Sequence, residues 1–223
     1  RLRKEPLSIM KRVVQQLNLR KALETDATRE RLKMAGLRGQ APVVAFLFFR
    51  ATLPVAGFGL AFFYLFFVKT YDLAPLVRLG MSIGGAYLGF YLPNIFISNL
   101  IQRRQKSIKR AFPDSLDLLL ICVQAGMSIE AAMNKVAGEI GPRSLELAEE
   151  FSLTTAELSY LQERRLAFEN LGKRTGLAVV RAVGTSLTQA ERYGTAVSQA
   201  LRVLAKESRD MRMAEAEKKA ASL

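Results

Sequence analysis

The chain has no histidine and no tryptophan, and its only cysteine is Cys122. Without histidine the commonest general base, the usual metal ligand and the Ser–His and Cys–His nucleophile pairs are all missing. One cysteine cannot close an internal disulfide or build a thiolate cluster, and zinc-site spacings are excluded. Lying in the apolar run Leu118–Val123, Cys122 reads as a small core residue rather than a reactive thiol. A phosphate-binding loop is absent too. Gly172-Lys173 has Ala167 where the first glycine belongs and Arg174 where Ser or Thr belongs. Two carboxylate pairs, Asp114/Asp117 and Glu149/Glu150, could hold a cation or act as acid and base. Helix-start charge and ordinary solvated faces account for both pairs without chemistry. The sequence therefore predicts no enzyme, no metal and no cofactor.

Acidic residues are scarce in some regions, and that decides how the net charge of +13 is read. Residues 1–41 carry eleven Lys/Arg against four Asp/Glu, and 98–110 carry five Lys/Arg with no acid. Residues 42–97 hold only Arg50, Lys69, Arg78 and Asp72, while 111–223 is nearly neutral, with 14 basic and 15 acidic residues. A nucleic-acid binder carries its excess on the folded domain. Here the excess flanks apolar segments, as in a membrane protein, and no nucleic-acid partner is expected.

Residues 51–68 form an eighteen-residue stretch without charge, and VVAFLFF just upstream can lengthen it, with Arg50 extending toward the headgroups. Residues 79–97 predict a second span, containing Gly80-x-x-x-Gly84 and Gly85-x-x-x-Gly89, small-residue patterns that let helices pack closely. The short connection predicts a membrane hairpin whose two basic flanks are cytoplasmic. Ahead of it, residues 6–23 read as a basic amphipathic helix that lies on a membrane surface or docks on protein. Asp26 could cap a second short helix, with Leu32 and Ala35 on its apolar side and Gly36 closing it; Gly39 and Pro42 then break the chain.

Beyond a basic linker, 98–110, residues 111–223 read as helices only. Pro113 stands where a helix can begin, Asp114 and Asp117 suit its first turn, and Gly126 suits its left-handed end. Ser128 caps the next helix, whose residues Ile129, Ala132, Met133, Val136 and Ile140 recur at helical spacing. Gly141-Pro142 breaks it. Leu147, Phe151, Leu158 and Leu161 stripe the following helix, and Leu166, Ala167 and Leu171 the one after. A related pattern returns 68 residues after Gly126, at Gly194, so the domain reads as two related halves. The last helix turns polar on nearly all sides after Leu204, with Lys206–Asp210 and Glu215–Lys219 as possible i,i+4 pairs. Residues Asp114, Asp117, Glu130, Glu191 and Arg192, at hairpin ends, are the candidate partner-binding residues.

The runs AFPDSLDLLLICVQAGMSIEAAM, RRLAFENLGKRTGL, QAERYGTAVSQALRVLAKE and RMAEAEKKAASL resemble the type II secretion F-domain family, and within it the TadC subgroup of tight-adherence (Tad, type IVc) pilus platforms. LNLRKAL, MAGLRGQAPVVAFLF and GFYLPNIFISNLIQRRQ extend the likeness through the membrane hairpin. The resemblance implies an all-α protein of the bacterial inner membrane, with a transmembrane helical hairpin at 42–97. Its cytosolic bundle, 111–223, would have six helices in two three-helix halves. It implies further membrane spans beyond both ends of this sequence. It also implies partners: a TadB-like paralogous platform subunit, a cytosolic hexameric secretion ATPase, pilin subunits and membrane lipids, with homo- or hetero-oligomeric assembly. A transporter or channel subunit is the alternative, with Arg50, Ser82, Tyr87 and Asn94 as the polar residues of its route. A membrane-bound enzyme acting on lipid is a third reading.

Overall fold

The computed structural model describes residues 26–68, 75–193 and 197–221, and every regular element among them is helical. The expected helix over 6–23, the connection 69–74, the turn around Gly194 and the side chains of Glu215 and Lys219 lie outside the described residues. The chain divides into two units, Arg1–Ile101 and Gln102–Leu223.

In the first unit, α1 (Asp26–Met34) ends at Gly36, whose φ of 78° is the left-handed conformation a helix terminus needs. Then α2 (Gln40–Phe63) runs on into a π-helical stretch, Tyr64–Val68. Pro42 does not break the chain. It sits in the first turn of α2, where its missing N–H leaves no helical bond unmade. Among the described residues one helical stretch, Gln40–Phe67, is long and apolar enough to cross a membrane. The second expected span belongs to α3 (Pro75–Gln124), where glycines, Ser82, Pro93 and Asn94 dilute the apolar character.

A small core of Leu32, Ala35, Val43, Val44, Phe46, Leu47 and Ile97 joins α1, the start of α2 and α3. Arg31 Nη2 donates to Ser98 Oγ at its edge, at 2.7 Å. Farther along, α2 and α3 meet backbone to backbone. A Cβ on Gly57 would stand 2.6 Å from the Gly85 carbonyl oxygen, and one on Gly89 only 2.5 Å from that of Leu53. The pattern Gly85-x-x-x-Gly89 thus makes the close approach. Gly80 and Gly84 have nothing within 4 Å and take no part in it.

α3 also corrects two expectations. The segment 98–110 is not a linker, and no helix starts at Pro113: both lie inside this single helix of 50 residues. SNLIQRRQKSIKR contains no glycine or proline to stop a helix. An interior proline forfeits one main-chain bond, but Ile108, Ala111, Phe112, Leu116 and Leu119 are buried on either side of it, and that burial outweighs the loss.

The second unit takes the rest of α3 with α4 (Ile129–Ile140), α5 (Leu145–Tyr160), α6 (Arg164–Thr175), α7 (Ala178–Tyr193) and α8 (Val197–Ala220). Gly126, at φ 88°, closes α3; its N–H bonds to the Val123 carbonyl and that of Met127 to the Cys122 carbonyl. Ser128 and Ser144 cap α4 and α5, each accepting the N–H three residues on. All five residues of the α4 stripe are buried, as are Leu147, Phe151 and Leu158 of α5. On α6 the expected stripe shifts: Ala167 and Leu171 are buried, Leu166 is exposed, and Phe168 takes the core position. There α6 and α7 pack closely, since a Cβ on Gly184 would lie 3.1 Å from the Phe168 carbonyl oxygen. The last helix is less solvated than its composition implies, with Ala205 and Ser208 buried.

Candidate functional site

Three groups of charged side chains organise the second unit. Two of them contain residues that the sequence put forward for partner binding, and the other contains Glu150 of the second carboxylate pair.

The first is buried. Glu150 is fully excluded from solvent and lies between two arginines. Arg104 Nη2 of α3 donates to its Oε1 at 2.7 Å, and Arg174 Nε of α6 donates to its Oε2 at 2.7 Å. Arg174 also reaches Glu157 Oε1 at 2.6 Å and Thr154 Oγ1 at 2.9 Å. The network joins α3, α5 and α6. Glu150 is therefore neither a solvated residue nor a free acid, because both of its oxygens accept from guanidinium groups. Taking such charges out of water is costly, and good geometry with several bonds is needed to offset it. Beside it, Ser107 Oγ donates to Glu146 Oε2 at 2.6 Å. Burial pushes the Glu146 carboxyl up, but hydrogen bonds from Ser107, its own backbone and Ser144, with the charge of Arg104, hold it below the usual carboxylate range.

The second group brings Glu130 and Glu191 together, from the first turn of α4 and the last turn of α7, through Arg164 at the start of α6. Arg164 Nη1 binds Glu130 Oε1, and Nη2 and Nε bind Glu191 at 2.7 and 3.1 Å in a two-pronged contact. The hydrogen bond to Glu191 raises the Arg164 guanidinium pKa, against burial, with Glu130 adding to the rise. Burial pushes Glu130 up, yet the Arg164 hydrogen bond, its own backbone and Ser128 carry it below its ordinary value. The side chain of Arg192 lies outside the described residues.

In the third group, Asp114 and Asp117 lie mid-helix in α3 rather than at a helix start. Asp114 pairs with Arg143 at 2.5 Å and with Arg212 of α8 at 3.2 Å; Asp117 pairs with Arg209 at 3.5 Å. Both carboxylates line an open cavity of about 550 Å³ with Leu118, Cys122, Lys135 and Arg143. With arginine beside each carboxylate, the pair is already balanced.

The sequence picks Asp114, Asp117, Glu130 and Glu191 thus prove to be ion-paired within the fold. Their partners Arg143, Arg164, Arg209 and Arg212 were missed, as was the whole Glu150 network. One signal was available. Glu150 and Thr154 share the helical face of Leu147, Phe151 and Leu158 and so stand at core positions. No comparable signal marks Arg104 or Arg174 as the partners.

Comparison with known proteins points the same way as this architecture. The family model described as Type II secretion system (T2SS), protein F matches residues 115–223, which are similar to a type II secretion F-type domain. Such a domain indicates the platform proteins of type II secretion and type IV pilus-like machines, a family of inner-membrane proteins. No curated protein and no solved structure matches the chain.

Proposed function

We propose that the chain is a non-enzymatic inner-membrane platform of a Tad or type IV pilus assembly machine. In this reading a helical hairpin, α2 with the first part of α3, anchors it in the bilayer. The F-type domain faces the cytosol, docks a hexameric secretion ATPase and a TadB-like paralogue, and helps move pilin from the membrane into the filament. The observation that carries the proposal is the F-type domain match over 115–223. Exposed apolar side chains on both helices of the first unit support the hairpin: among them are Val55, Leu60, Phe63 and Phe67 on α2 and the π-helical stretch, and Ile83, Leu88, Leu92 and Phe96 on α3. The charged clusters of the second unit are occupied by one another, which supports a mechanical scaffold.

Two measurements test it. Deleting the gene abolishes piliation, and the full chain in detergent retains the cognate ATPase on an affinity column. Normal piliation together with no ATPase retention sinks the proposal.

A further inference from the structure

Arg50 is the one cation of α2, and nothing described in the protein neutralises it. No acidic residue occurs within 42–68 or 75–110. Arg50 makes no ion pair or hydrogen bond among the described residues. Its guanidinium carbon lies 5.2 Å from the centre of the Phe90 ring and 5.9 Å from that of Phe46. Its Nε is buried with no hydrogen-bond partner, although the residue as a whole is only half-buried. Two aromatic faces therefore hold a flat cation in place while leaving its donors unused.

The surroundings fix the depth of this cation. Exposed large apolar side chains run from Phe49 to Phe67 along α2 and its π-helical end, and from Leu76 to Phe96 along α3. At 1.5 Å per residue each band is roughly 30 Å long, the thickness of a hydrocarbon core. The contacts of Gly57 with Gly85 and of Gly89 with Leu53 set the two helices antiparallel and bring Phe90 beside Arg50. At the Arg50 end both bands stop together. Val43 to Leu47 and Ile97 turn inward there, into the core that α1 covers. Arg50 thus stands where hydrocarbon gives way to headgroups.

We infer that Arg50, cradled by Phe46 and Phe90, is a binding site for the phosphate of an anionic phospholipid. The site rests on the membrane reading proposed above. The guanidinium offers paired N–H donors matched to phosphate oxygens. Headgroup depth favours a lipid over the carboxylate of a partner's membrane helix.

The test titrates the full chain, in non-ionic detergent, with phosphatidylglycerol and counts lipid adducts by native mass spectrometry. Arg50→Gln is expected to weaken retention about fivefold, the effect of one cation near an anionic surface. Phe90→Leu keeps the charge, removes one ring and falls between; it also serves if Arg50→Gln fails to fold. Equal retention by wild type and both variants overturns the inference. So does full competition by inorganic phosphate at the lipid's concentration, which would mark a free-anion site. A third overturning result is loss of a copurifying membrane protein from Arg50→Gln with lipid retention unchanged. Alkaline carbonate extraction separates the two readings: wild type released as soluble protein refutes the membrane anchor, whereas a retained wild type with unaltered lipid binding refutes only this site.

Discussion

In the first unit two helices approach until a Gly57 Cβ would touch the Gly85 carbonyl, and large apolar side chains cover the outside. In the second unit a core of large side chains, Phe112, Phe151 and Phe168 among them, lies between the helices, the outside is charged, and a carboxylate with no solvent contact is tied to arginines. On the membrane reading proposed above, the contrast follows from the solvent each unit faces. Where surroundings are apolar, burying apolar surface yields little, so close backbone packing has to hold the helices. Where water surrounds the protein, apolar burial drives assembly. Charge can then be spent inside to fix how helices register.

The largest effect expected on this contrast is in the Glu150 network. Glu150→Leu removes the buried carboxylate that Arg104 and Arg174 share, leaving them only the more exposed Glu149 and Glu157, and costs about 3–5 kcal/mol. Denaturant unfolding of the full chain in detergent reads it. A loss below that of an exposed charge would show that water reaches the network.

Next comes the glycine contact. Gly57→Ala pushes a methyl against the Gly85 carbonyl, for roughly 1–3 kcal/mol. Gly84→Ala, in open space, should be neutral or slightly stabilising, because alanine is the better helix former by about 1 kcal/mol. Thermal shift in detergent compares the pair, and equal effects would deny that α2 and α3 touch at Gly57.

Acid should then separate the units. Glu130 and Glu146 are both held below their ordinary value of 4.5, so as pH falls the unfolded chain takes up these protons first. Their contribution is complete above that value and disappears as pH falls through their lower folded values. Glu130→Gln with Glu146→Gln should flatten the acid limb of a stability-against-pH curve, by about 1 kcal/mol in total for partly exposed groups. An unchanged limb refutes the assignment.

Smallest is Asp117→Asn. It removes a contact of 3.5 Å with Arg209, partly exposed on both sides. The cost should be under about 0.5 kcal/mol and should vanish in high salt.

Helix type, the Gly126 turn, the Ser128 cap and the α4 stripe were all legible in the sequence, because each depends on residues within one or two turns of each other. The start at Pro113 was misread for the same reason. Local rules allow a helix to begin there, and only the burial of Phe112 and Leu116 on other helices carries it through. Of the four GxxxG glycines, spacing could not say which pair would meet α2.

By itself, then, the sequence determined that the chain is helical and where its apolar runs lie, since periodicity and composition are properties of the chain read locally. The pairing of Arg164 with Glu130 and Glu191, of Glu150 with Arg104 and Arg174, and of Arg50 with the Phe90 ring was decided by the tertiary structure alone. Those partners stand tens of residues apart, and only packing brings them within the few ångströms over which a hydrogen bond or a cation above a ring acts.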